Sequence, residues 1–160
     1  MYYLNVFFIY SILGFILETL MIKGFSSGIL FGPWTPVYGI GVIFIMLIYK
    51  KLDKKIHNNF FKVFLLFILS SILLSLLEWC GGVLIKCVFN KVYWSYENMR
   101  YNFGHYIALE VAVIWGVMSI LIIYLIRPIL DKVVKSVPKW LTCVLSSLFM
   151  IDVILTLLIK

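Results

Sequence analysis

Four of the seven acidic residues in this 160-residue chain, Glu18, Glu78, Glu110 and Asp152, fall inside long apolar runs. An ionised carboxylate near the middle of a bilayer costs at least about 2.5 to 3.5 kcal/mol on insertion scales, so such groups normally face a protein interior or water and mark ion, proton or substrate paths. Their type and placement predict a polar cavity between helices. The plainer alternative is that each acid is neutral, or pairs with Lys23, Lys86 or Arg100 near the interface and holds helices together.

A second cluster, residues 93–107, is dense in aromatics and amides, and from it Trp94, Tyr96, Asn102 and His105 join the four acids as candidate substrate-binding residues. Anchoring at the membrane–water interface also accounts for Trp94, Tyr96 and Tyr101. His105 and Glu110 are five apart and share no helix face well, unlike the HExxH arrangement of zinc peptidases, so neither a metal site nor a cofactor is expected. There is no GxxxxGK[ST] phosphate loop and no GxSxG elbow, which argues against nucleotide hydrolysis and against an enzyme. Were the chain an enzyme, Glu78, Glu110 and His105 would be the general acid/base candidates.

The elements that must position these residues are set by composition. The chain is 64% hydrophobic and 13% charged, whereas globular chains are about half apolar and a quarter charged. Lipid must replace the missing polar shell. A helix needs about 20 apolar residues to cross a core of about 30 Å, and five runs, 4–22, 37–49, 60–85, 106–126 and 140–159, predict an all-α, polytopic transmembrane bundle forming one integral membrane domain over 1–160. The period-2 alternation of barrel strands is missing. The first run has no preceding Lys or Arg and no cleavage site, so it is expected to stay in the mature protein. Cys80, Cys87 and Cys143 form no CxxC pair and suit packing better than redox chemistry.

The second run is short. Gly24, Gly28 and Gly32 have the spacing of close helix approach, but Pro33 and Pro36 interrupt a continuous helix, so 24–36 is expected to form a broken or re-entrant segment, with a plain turn as the alternative. Gly28, Gly32, Pro33, Pro36, Tyr38 and Gly39 carry that structural motif.

With five spans, nine of the 14 basic residues fall on the side of the N-terminus, in the loops 50–62 and 127–139. The positive-inside rule then places the chain in the cell membrane with the N-terminus and those loops cytoplasmic, the C-terminus outside, and all four intramembrane acids in the outward half. Topology and anionic lipid account for the net charge of +7 without nucleic acid. A homo-oligomer is expected if five helices are to enclose a path.

Several spaced motifs resemble the family of small bacterial membrane proteins labelled ABC-transporter type IV, or ABC transporter permease. Tyr10-Ser11, Gly14 and Glu18 look like its opening motif, and Gly28-Ile-Leu-Phe-Gly-Pro-Trp-Thr-Pro-Val-Tyr-Gly looks like its Gly-Phe-Leu…Gly-Pro…Pro-Ile-Tyr-Gly core. Glu78, Trp94 with Tyr96, Asn102 and Trp115-Gly116 fall at similar spacings, and the resemblance spans most of 6–126. It departs where Ser26-Ser27 replace Asn-Arg, Ser95 replaces Asp, and His105 replaces Gly. The resemblance implies a permease subunit of a transporter, and with it a separate ATP-binding subunit docking on loops 50–62 and 127–139. A non-catalytic ligand-binding or assembly subunit is the alternative.

Overall fold

The computed structural model describes residues 1–21 and 29–160. Gly24, Gly28 and the Ser26-Ser27 departure lie outside the described residues, as does the first part of the expected re-entrant segment. All regular elements described are helical: α1 (Tyr2–Met21), α2 (Pro36–Lys55), α3 (Asn59–Phe89), α4 (Leu109–Leu121), a π turn (Ile122–Ile126), α5 (Arg127–Ser136) and α6 (Lys139–Ile159). Each expected run thus lies mainly in helix, although 106–108 precede the start of α4 at Leu109. Among the described residues, four stretches are long and apolar enough to cross a membrane: Tyr2–Leu20, Asn59–Phe89, Leu109–Ser136 and Lys139–Ile159. The fifth, α2, reaches 20 residues only by continuing through Lys50, Lys51, Asp53, Lys54 and Lys55. Its apolar part is the short run that the sequence indicated.

The residues 127–139, expected as a loop, are mostly helix. Pro128 lacks an amide donor and would clash with a carbonyl one turn earlier in a regular helix. The chain widens into the π turn immediately before it, which is a recognised way for a helix to absorb such a residue. The helix then continues to Ser136.

The chain forms two compact units: residues 1–43 with 129–160, and residues 44–128. In the second, α3 packs against α4. Asn58 caps α3, its side chain accepting from the Phe61 N–H at 3.2 Å. Asn90 ends it in the left-handed region at φ 52°, a position that Asn fills more readily than other side chains. Lys62, counted above with the basic loop, is instead buried in the first turn of α3 and donates to Asp53 at 2.6 Å.

Burial is partly inverted relative to a soluble protein: beside apolar core residues such as Val6, Ile45 and Leu66, small polar residues are buried while large apolar ones are exposed. Ser11, Ser70, Ser119, Thr142 and Thr156 are fully buried, while Leu20, Phe60 and Leu158 are each at least 78% exposed. The buried stripe of α3 is Lys62, Leu66, Ser70, Leu74, Glu78 and Gly82, spaced by four along one face. Between helices in lipid no hydrophobic force favours large side chains; small and hydrogen-bonding residues allow close packing, and the apolar side chains face out. Together with the four apolar stretches, this pattern makes the chain a multi-pass membrane protein.

Candidate functional site

Asp152 and Glu18 belong to the first unit, Glu78 and Glu110 to the second. Residues 29–35 leave helical geometry before α2 begins at Pro36. Non-helical backbone at membrane depth is tolerated only where protein satisfies its polar groups, and here the donors can be followed one by one. The Phe31 N–H donates to Asp152 Oδ1 at 3.0 Å and the Gly32 N–H to Oδ2 at 2.8 Å. Pro33 has no N–H. The Trp34 N–H donates to the Gly32 carbonyl at 2.8 Å, the Thr35 N–H to the Ser11 carbonyl at 3.1 Å, and Pro36 again has none. No donor from residue 31 to 36 is left over.

Asp152 also accepts the Trp34 indole N–H at 2.8 Å and the Thr156 hydroxyl at 3.4 Å. Four donors fill about all the acceptor positions a carboxylate offers. Gly32 must be glycine: a Cβ there would sit against the Trp34 indole nitrogen and 2.8 Å from Asp152 Oδ2. At Gly39 a Cβ would overlap the Ser11 hydroxyl and the Phe7 carbonyl, so α2 starts with its backbone directly on α1. Glu18 accepts from the Thr35 hydroxyl at 3.3 Å and bonds to the Tyr38 side chain, closing the same segment from α1.

In the second unit, Glu78 projects from α3 and is 8% exposed. Tyr96 Oη donates to Oε1 at 2.7 Å and Trp115 Nε1 to Oε2 at 2.8 Å, so this carboxylate joins α3, α4 and the connecting segment 90–108. Glu110, in the first turn of α4 where unpaired helix amides favour an acid, accepts the Tyr101 N–H at 3.1 Å. Its other oxygen is buried without a hydrogen-bond partner among the described residues, as are Trp94 Nε1 and the Tyr106 hydroxyl. The Trp94 and Tyr106 rings meet edge to face at 5.8 Å, and Tyr106 lies over Gly82.

Asn102 and His105 do different work from Glu78. Both fasten Glu97: the Asn102 side-chain amide donates to its carbonyl, and His105 Nδ1 lies 2.8 Å from its carboxylate at an exposed site. The segment is further closed by Tyr96 N–H to the His105 carbonyl at 2.8 Å and by an antiparallel bridge of Asn102 with Ala108. The eight expected residues thus fall into separate groups: Glu18 and Asp152 with 29–38, Glu78 with Tyr96 and Trp115, Asn102 with His105 about Glu97, Glu110 on the Tyr101 N–H, and Trp94 against Tyr106. Sequence reasoning did not assign site roles to Trp34, Thr35, Tyr106 or Trp115. The signals available were the Trp115-Gly116 pair and the tryptophan inside the Gly-Pro-Trp-Thr-Pro run.

The helices, their inverted burial and these hydrogen-bonded intramembrane acids define a polytopic α-helical membrane protein. The family model described as "Putative ABC-transporter type IV" matches residues 5–157, and the chain belongs to that family. No curated protein and no solved structure matches it.

Proposed function

We propose that the chain is the membrane permease subunit of a transporter, with its polar ligand received in the second unit beneath residues 90–108. The observation that carries this reading is family membership over residues 5–157 in a chain that has no phosphate loop. ATP is then hydrolysed by a separate subunit, and this chain is not itself an enzyme. The cations Lys50, Lys51, Lys54 and Lys55 at the end of α2 offer that partner a cytoplasmic docking site. This orientation puts the N-terminus inside and the C-terminus outside. The uncommitted polar atoms of Trp94, Tyr106 and Glu110 support a ligand there, because buried donors and acceptors normally have partners. Self-association would complete the path.

The test is purification in gentle detergent followed by mass spectrometry of what remains bound. A stoichiometric ATP-binding subunit, released when Lys50, Lys51, Lys54 and Lys55 are changed to Glu, is the expected result. A protein that runs alone or only with itself overturns the permease reading and favours a ligand-binding or assembly subunit.

A further inference from the structure

The first unit holds a groove of about 360 Å³ between α1 and α6, walled by Tyr3, Leu4, Phe7, Ser146, Phe149 and Met150 among others and almost wholly apolar. Its aromatic side is a fixed cluster, Phe7 lying 5.3 Å and Phe8 6.0 Å from Phe149, each edge to face. The Ser146 hydroxyl is turned to the Thr142 carbonyl at 2.8 Å and offers the groove no uncommitted donor.

One end of the groove is placed by Asn5. Its side chain donates to the Val134 carbonyl at 3.0 Å and accepts the Thr142 hydroxyl at 2.6 Å, clamping the start of α1 to the α5–α6 turn. Leu4 and Phe7 flank Asn5, and Ser146 is one turn beyond Thr142. Lys132 and Lys135 on α5 and Lys139 at the start of α6 flank that turn, all exposed. Asp131 is the acid set against them, 3.9 Å from Lys135 and already accepting the Tyr2 hydroxyl at 2.6 Å. Trp140, 67% exposed, stands next to Lys139 as interfacial tryptophans do. Three lysines against Asp131 leave these side chains with a net charge of plus two, at the end of the first unit that Asn5 ties to the start of the groove's α1 wall.

We infer that this groove is a binding site for one anionic phospholipid, an acyl chain lying between α1 and α6 and the phosphate held by Lys132, Lys135 and Lys139. Charge complementarity selects the occupant: a zwitterionic lipid fills the slot equally well, but its headgroup cation offsets the attraction of its phosphate to the lysines. This site is independent of the permease reading and of the ligand position proposed in the second unit.

The full chain, delipidated in detergent, is titrated with phosphatidylglycerol and with phosphatidylcholine of the same acyl chains and read by native mass spectrometry. One phosphatidylglycerol is expected to bind roughly 30-fold more tightly, the preference that two net charges supply near a membrane surface. Combining Lys132→Gln, Lys135→Gln and Lys139→Gln should erase the preference without lowering the thermal midpoint. Ser146→Phe, filling the slot, should weaken both lipids. Equal binding of the two lipids by the natural sequence, a preference that survives the lysine changes, or full displacement by inorganic phosphate at equal concentration each overturns the proposal. So does a folded Ser146→Phe protein that binds both lipids as before.

Discussion

Asp152 and Glu78 are both 8% exposed carboxylates inside apolar helices, yet their partners differ in kind. Asp152 accepts two backbone N–H groups, an indole and a hydroxyl, and its partners at residues 31–34 are more than a hundred positions away in the chain. Glu78 takes side-chain donors from Tyr96 and Trp115, the first on the segment that follows its own helix. One carboxylate satisfies backbone amides of a non-helical segment. The other joins a connecting segment to two helices through a phenol and an indole. An acid in a membrane helix is thus no uniform signal of transport: what it accepts decides whether it can be spared.

The largest effect is expected at Asp152. Asp152→Ala strands the Phe31 and Gly32 amides and the Trp34 indole, and should destabilise the protein by about 3 to 5 kcal/mol; Asp152→Asn, which keeps one strong acceptor, should lose distinctly less. Thermal unfolding in nanodiscs measures both, and equal, small losses would break the contrast with Glu78. Next, Glu78→Gln should cost about 1 to 2 kcal/mol, since one charge-assisted bond becomes neutral. Hydrogen exchange should quicken in 90–108 while 29–35 stays protected, and the reverse pattern would assign the two carboxylates to each other's roles. The smallest effect is at Asn90, where Ala must adopt the left-handed conformation at about 1 kcal/mol and Gly should be neutral or slightly stabilising. A thermal midpoint unchanged by Asn90→Ala would mean that the end of α3 does not set the geometry of the segment holding Tyr96.

Four helices were legible because their apolar runs are longer than any soluble core requires, and the shortness of 37–49 stood out against them. The course of 127–136 was not: Pro128 reads as a breaker, and the π turn that admits it leaves no mark in residue types. The intramembrane acids could be found by their rarity, but their partners could not. Backbone amides carry no sequence signature, so nothing at Phe31 or Gly32 announces that Asp152 will bind them. Trp115 shares a helix-packed neighbourhood with Glu78 only because Gly116 lets α4 approach Phe67 and Ser71 of α3. Such a contact depends on two helices meeting in register, which periodicity in either one does not encode.

The same inversion of burial fixes the chemistry of the thiols. Cys80 and Cys87 on α3 and Cys143 on α6 are all exposed, which in this protein means turned toward the surroundings of the helices and not into their packing. A thiol ionises and reacts only where water reaches it. Cys80 and Cys87 stand about 10 Å apart along one helix, at 1.5 Å per residue, and Cys143 lies one turn from the start of another. Each thiol is a mark on its own helix, registering whether that level is wet or dry.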